Sequence, residues 1–194
     1  MVKYGVSVVS LVLLTAGSAM TAWGQAAPDP KVTVSTQKDA MKALASLDGE
    51  WRGPAWILLR SGEKHRFTQT ERVGPFLGGS LKVIEGRGYD DDGTIAFNAF
   101  GIVSYSPQSN TYTLRSYAQG QVGDFPVTLV DGGFQWEIPS GPVTMRYTAL
   151  VAEGEWKEVG ERVLPDKRTI QVFEMELRRV GDTGWPDAGA VSAR

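Results

Sequence analysis

The polar residues best suited to contact a ligand stand inside apolar, strand-like stretches of the chain. Gln69 and Glu71 share a face with Phe67, because alternate residues of a strand point the same way. An apolar core rejects such groups unless they are paired or hydrated, so they predict an interior with polar positions along its wall. The polar residues of this kind are Gln69, Glu71, Asn98, Arg115 and Arg146.

The two arginines bear on the kind of ligand. If Arg115 or Arg146 points inward, a carboxylate or another anionic head group would pair with it, which suits a fatty-acid-like ligand. In the alternative, both arginines face water and lay their aliphatic stems along the wall. The sequence leaves this choice open. The predicted ligand-binding residues are Phe67, Gln69, Glu71, Asn98, Arg115 and Arg146.

The remaining motifs predict no catalytic, metal or cofactor site. The chain has no cysteine, and its one histidine, His65, stands between Lys64 and Arg66 in a polar stretch. A solvated surface histidine fits that setting better than a haem ligand. Residues 90–93 lack the ligand set of a calcium loop and fit a hairpin turn. Ser61 and Lys64 lie at a turn, without the helix that a serine–lysine pair needs.

Three function classes remain open at this point. The first is a non-catalytic barrel that binds a small, mostly apolar ligand. The second is a lyase, isomerase or hydrolase that uses Glu71 or Tyr147 as an acid or base, and a strongly raised carboxyl pKa at the cavity floor would favour it. The third is an envelope interaction module with a filled core, which an interior without any void would favour.

The elements that must position these residues are short strands. From residue 50 to residue 180, β-prone runs alternate with turn residues, which predicts consecutive antiparallel hairpins and about nine or ten strands. Short connections favour a closed up-and-down barrel, because closure removes exposed strand edges. The apolar positions Phe173 and Met175 are out of phase with Ile170 and Val172, which predicts a bulge near Val172.

The two ends of the chain predict export and loose segments. Residues 1–26 have the basic start, apolar run and small residues of a signal peptide, so we expect a periplasmic or secreted protein without stable membrane insertion. We expect a flexible lead-in over 27–35, a short helix capped at Thr36 within the domain 36–180, and a disordered tail over 181–194. A net charge of −2 disfavours a nucleic-acid partner. The oligomeric state stays open.

Five segments in order resemble a known family. They are LDGEWRGPAW from Leu47, FLGGSLKV from Phe76, FGIVSYSPQSNTYTLRSY from Phe100, GEWKEVGE from Gly154 and FEMELRR from Phe173. Together they are similar to the bacterial lipocalin-like family catalogued as domain of unknown function 1579. The resemblance implies a calycin-type barrel with an internal cavity for a small hydrophobic or amphipathic molecule. It also implies structural roles for Gly49 and Trp51, with Trp51 packed under Arg178 or Arg179.

Overall fold

Ten antiparallel strands close into a single barrel in the computed structural model, which describes residues 29–189 and residue 191. Each strand pairs with its neighbours in sequence, and the first pairs with the last. This confirms the predicted closed up-and-down barrel. The strands are β1 Gly49–Leu58, β2 Lys64–Phe76, β3 Leu81–Tyr89, β4 Ile95–Ser106, β5 Thr111–Ala118, β6 Gln121–Val130, β7 Gly133–Ser140, β8 Val143–Ala152, β9 Glu155–Val163 and β10 Thr169–Gly181.

The amino-terminal helix, α1 (Pro30–Met41), starts earlier than the sequence predicted. Its cap is Asp29, whose carboxylate accepts a hydrogen bond from the Lys31 backbone N–H, and not Thr36. Pro30 fits the first helical turn because that position needs no N–H donor. Most of the predicted flexible lead-in over 27–35 is therefore helical. The predicted signal peptide lies outside the described residues.

One end of the barrel is closed by α1 and the 3-10 helix Lys42–Leu47 that follows it. Leu44 and Leu47 are almost completely buried there. The indole N–H of Trp51 donates to the Leu47 carbonyl oxygen at 2.8 Å, and the Trp51 ring meets Trp156 edge to face at 5.8 Å. Within the described residues, no helix has the length and apolar character needed to cross a membrane.

Most of the fully buried apolar core lies in the half of the barrel next to these helices, which we call the closed half. Its residues come from the 3-10 helix and from the strand ends that face the helices, so side chains from the lid and from the surrounding strands fill this half together. The members of the closed half are Leu44, Leu47, Trp51, Val73, Val103, Leu114, Val127, Phe134, Ala149, Val151, Trp156 and Leu177.

The predicted bulge is confirmed, because the register of β10 against β9 shifts between Gln171 and Phe173.

The tail after β10 makes a contact with the outer wall. The guanidinium of Arg72 lies 4.5 Å from the centroid of the Trp185 ring. A Cβ at Gly74 would lie 1.9 Å from the Trp185 carbonyl oxygen, so a side chain at this position would collide with the tail. The sequence favoured an undocked Trp185 in a disordered tail, and at this residue the structure differs from that expectation. A ring stacked on a cation explains the docking.

Candidate functional site

The opposite half of the barrel interior is less tightly packed, and we call this half the cup. The residue alternation set by the strand register turns its lining side chains toward the barrel axis, yet each keeps part of its surface exposed. Large side chains that face inward and remain half-buried indicate that the cup is accessible from the open end. The lining residues are Phe97, Ala99, Ser116, Phe125, Trp136, Met145, Tyr147 and Phe173.

Glu71 and Gln69 lie at the floor of the cup. Glu71 pairs across the sheet with Gly86, and a Cβ at Gly86 would lie 2.6 Å from Glu71 Oε1, so glycine makes room for the carboxyl group. The Gln69 amide donates from Nε2 to Glu71 Oε1 at 2.7 Å. Glu71 Oε2 and Gln69 Oε1 are buried oxygens without a hydrogen-bond partner. Two unpaired oxygens therefore face the inside of the barrel.

Burial raises the pKa of Glu71 to about 8. The hydrogen bond from Gln69 opposes this shift, and the negative charges of Glu158 and Glu85 add to it. Glu71 as a residue keeps some solvent contact, but its Oε2 does not, so desolvation acts on the charged group itself. Near neutral pH this carboxyl group is therefore mostly protonated.

A second buried carboxyl, Glu158 on β9, faces the same interior. Its exposed fraction is 8%, and burial raises its pKa to about 7. The indole N–H groups of Trp136 and Trp156 lower this pKa, although Trp156 Nε1 does not reach hydrogen-bond geometry. Sequence analysis missed Glu158, but the alternation of Trp156, Glu158 and Gly160 on one face of β9 carried the signal.

Aromatic rings form a continuous wall beside Glu158. Trp136 stacks on Tyr147 with centroids 4.4 Å apart, Phe125 lies 5.6 Å from Trp136, and Phe173 lies 6.1 Å from Tyr147. Burial raises the pKa of the Tyr147 hydroxyl, and the charge of Glu158 adds to this shift. The glycine at position 160 leaves space for the Tyr147 ring, since a Cβ there would lie 2.8 Å from that ring. The cup thus joins flat apolar surfaces to two acidic groups.

Three of the predicted ligand-binding residues lie on the outside of the barrel. Arg115 donates to both carboxylate oxygens of Asp124, at 2.7 and 2.5 Å, and Arg146 donates to Glu137 at 2.7 Å. Asn98 is exposed on the outer face of β4. Of the two orientations that the sequence left open for the arginines, the structure has the outward one. The expected inward position of Asn98 is wrong, because its cross-strand partner Arg87 also lies on the outer face. Phe67, Gln69 and Glu71 do face the interior, and their role in binding stays a prediction.

The resemblance implied Arg178 or Arg179 as the arginine beside Trp51 at the closed end, and the structure distinguishes the two. Gly49 and Trp51 occupy the expected positions, and Gly49 has a φ of +134°, which favours glycine. The arginine at this end is Arg179, which donates from Nη2 to the Asp48 carbonyl oxygen at 3.0 Å. Arg178 instead points outward and pairs with Glu155 at 2.5 Å. Arg179, and not Arg178, is therefore the arginine opposite Trp51 in the strand register.

A buried lysine also escaped the sequence analysis. Lys82 on β3 is 2% exposed, and its ammonium pairs with Asp48 at the closed end. Its sequence neighbours Leu81 and Val83 are apolar, so nothing next to Lys82 in the sequence indicated an ion-pair partner.

The lone histidine lies at the open rim, where His65 Nε2 is 2.9 Å from Asp90 Oδ1. Across residues 29–189, no group of three or more metal-ligating side chains comes together.

Two depressions mark the outer wall rather than the cup. One, of about 240 Å³, lies over β1 to β3 between the charged side chains of Arg52, Arg72 and Arg87. The other, of about 400 Å³, lies beside Phe100 and Tyr117. Neither is formed by the half-buried rings that line the interior, so both are features of the outer surface.

Comparisons with solved structures give a fold likeness. A structure of Rv2717c from M. tuberculosis aligns with a TM-score of 0.55 at 11% identity, covering 72% of this chain and 96% of that chain. The S-type phycobiliprotein lyase CPES from Guillardia theta aligns with a TM-score of 0.49 at 10% identity, covering 81% of this chain and 99% of that chain. The likeness to Rv2717c shows a shared fold, and the chain therefore has a lipocalin-like, calycin-type barrel.

Comparisons at the level of sequence give no family. No protein-family model matches the chain, and no curated protein matches it. The resemblance to domain of unknown function 1579 therefore stays a prediction.

Proposed function

We propose that this protein is a binding protein that holds a small, mostly apolar molecule in the cup. One observation supports this most directly: five inward-facing rings of the open half, Phe97, Phe125, Trp136, Tyr147 and Phe173, remain partly exposed, whereas Trp51, Phe134 and Trp156 of the closed half are buried. Ligand sites are concave, largely apolar and provided with a few polar groups, and the cup has each of these properties. The ligand enters at the end opposite α1.

The predicted anionic head group loses its support. Arg115 and Arg146 were its partners, and both pair with carboxylates on the outer face. The titratable and amide groups at the floor and wall of the cup instead include Gln69, Glu71 and Glu158. An anion would meet two carboxyl groups there, which repel it whenever they are ionised.

We further propose that the protein acts outside the cytoplasm, in the periplasm or as a secreted protein. The support for this is the signal-like sequence of residues 1–26. The absence of cysteine is compatible with an oxidising compartment, because the barrel is held by its core and needs no disulfide. Cleavage near residue 26, measured by mass spectrometry of protein from the natural host, tests this localisation.

A variant that fills the cup tests the binding proposal. Ala99 faces the cup and Asn98 faces outward, so Ala99→Phe and Asn98→Phe add the same ring to opposite sides of β4. With Nile red as a neutral apolar probe, we expect Ala99→Phe to raise the Kd about ten-fold or more and Asn98→Phe to change it less than about two-fold. Fluorescence titration measures both values.

The control and the contrary outcome use the same titration. Ser116→Phe fills the cup from β5 and replaces Ala99→Phe if that variant does not fold, which circular dichroism shows. No saturable binding of Nile red by the wild-type protein would contradict the proposal. Equal affinity of the Ala99 and Asn98 variants would also contradict it, since the dye would then sit on the outer wall.

A second candidate function is catalysis in the same cup. The favouring observation is the pair of buried carboxyls with pKa values of about 8 and 7, since a general base works best when its pKa is near the working pH. In this role Glu71 takes a proton from a carbon next to a carbonyl, and the C–H electron pair moves into the enolate. Proton NMR of small ketones in D₂O tests it: exchange that Glu71→Gln abolishes supports catalysis, and no exchange contradicts it.

A further inference from the structure

The charges inside the barrel are unbalanced. Glu71 and Glu158 face the cup, and among the described residues neither forms an ion pair with a basic side chain. Lys82, the buried lysine, is paired with Asp48 at the closed end. Arg162 follows Glu158 by four residues on β9, about 13 Å along the strand, and is exposed at the open rim. The two acids therefore lack a cation within the cup.

Once Glu71 is ionised, the floor of the cup also has more hydrogen-bond acceptors than donors. Gln69 uses its amide N–H to bind Glu71, which leaves Gln69 Oε1 and Glu71 Oε2 buried without a donor. Buried polar groups without partners cost free energy, so these atoms favour a ligand that supplies donors. Glu158 adds further oxygens on β9, which is separated from β2 by β1 and β10. A protonated amine carries three N–H donors and a positive charge, which match both deficits.

The aromatic wall suits the same chemistry. The rings of Trp136, Tyr147 and Phe173 border the cup beside Glu158, and Trp136 and Tyr147 stack on each other. The face of an aromatic ring attracts a cation, most strongly where water is excluded. A ligand with an apolar body and an ammonium end would therefore place its body on the rings and its charge between the two glutamates.

We propose that the ligands of this protein are hydrophobic amines, bound through an ammonium group that contacts Glu71 and Glu158. This inference rests on the proposed function and names the ligand class of the same cup. Binding ionises a carboxyl that is protonated in the free protein, so a proton leaves the site as the ammonium enters. The groups that face the carboxyls are Gln69 on β2, Trp136 on β7, Tyr147 on β8 and Trp156 on β9, with Glu85 on the outer side of β3.

A matched set of three probes tests the ligand class. They are 2-(1-naphthyl)ethylamine, 2-(1-naphthyl)ethanol and 1-naphthylacetate, which share a naphthyl body and differ in the charge of the polar end. We expect the amine to bind about ten-fold or more tightly than the alcohol at pH 7, and the carboxylate to bind most weakly. Calorimetry in buffers of different ionisation enthalpy should detect net proton release with the amine and none with the alcohol.

Variants locate the effect. Glu71→Gln and Glu158→Gln each remove one acid at nearly constant volume, and each should weaken the amine about ten-fold while changing the alcohol less than about two-fold. Glu161→Gln, on the same strand as Glu158 but on the outer face, should change neither. Loss of alcohol binding in a glutamine variant would signal misfolding, and the remaining glutamine variant then decides the question.

The outcomes separate the amine proposal from the binding proposal. If Nile red and the alcohol bind but the amine is no tighter, the amine proposal is wrong and the binding proposal stands. If the carboxylate binds tightest, the ligand class is anionic and the amine proposal is again wrong. If neither Nile red nor any naphthyl probe binds, the binding proposal itself fails.

Discussion

The closed half and the cup belong to one sheet but are packed in different ways. In the closed half, Trp51 and Trp156 are each 2% exposed and meet edge to face under the helices. In the cup, Trp136 stacks on Tyr147 and both rings remain partly exposed. The same residue type thus fills a core at one end and lines an accessible surface at the other.

The difference extends to the buried charges. The lysine of the closed half, Lys82, has a partner in Asp48, so its charge is compensated. The acids of the cup, Glu71 and Glu158, have no such partner and respond with raised pKa values. A folded protein tolerates an uncompensated buried acid mainly by keeping it protonated, at some cost in stability. We infer that the closed half provides most of the stability of the fold, whereas the buried acids of the cup lower the stability in favour of the proposed binding.

The largest expected effect is on the stability contributed by tryptophan in the two halves. Trp51→Ala leaves a cavity and an unpaired Leu47 carbonyl oxygen, so we expect the free energy of unfolding to fall by about 3–5 kcal/mol. Trp136→Ala removes a ring that is already part-exposed, so we expect less than about half of that loss. Urea unfolding measures both, and equal losses would show that the two halves are packed alike.

An intermediate effect is the pH dependence that Glu71 gives to stability. Its folded pKa of about 8 lies above its usual 4.5, so the folded protein holds a proton that the unfolded chain releases, and stability falls as pH rises between these values. Glu71→Gln cannot ionise and avoids this fall. We expect the variant to gain roughly 2–3 kcal/mol over the wild type between pH 4.5 and pH 8.5, a figure reduced for partial solvent contact.

The control for this pH effect is Glu161→Gln, which faces outward. Its unfolding free energy should follow that of the wild type across the same pH range, measured by urea titration. A constant difference between Glu71→Gln and the wild type at every pH would mean that Glu71 is not desolvated. In that case the cup would be open to water down to its floor.

The fold could be predicted from the sequence because its signals are local. Alternating apolar residues and turn residues mark hairpins, and the phase change near Val172 marks a bulge. The start of α1 was missed because Asp29 and Pro30 are typical of a linker and also of a helix cap followed by proline. Only the packing of the helix on the barrel distinguishes these two structures.

The site was harder to predict because it depends on which face of each strand turns inward. A shift of one residue moves every side chain of a strand to the other face. Both faces of β4 are apolar, so the pattern could not place Asn98. Gln69 and Glu71 were placed correctly because Phe67 and Val73 share their face and are apolar. Glu158 had the same kind of evidence in Trp156, but a single Glu among four charged neighbours did not stand out.

The smallest expected effect concerns the outer arginines and tests where the boundary of the cup lies. Arg115 and Asp124 are about half exposed, and ion pairs of this kind contribute little because water and salt screen them. We expect Arg115→Gln to leave the midpoint of urea unfolding almost unchanged and Nile red binding unchanged within two-fold. The double variant Arg115→Gln with Arg146→Gln should give the sum of two small losses, because the pairs lie on different strands. If fluorescence titration instead showed weaker binding of Nile red or of 1-naphthylacetate in these variants, the outer wall would take part in recognition and the cup would not be the whole site.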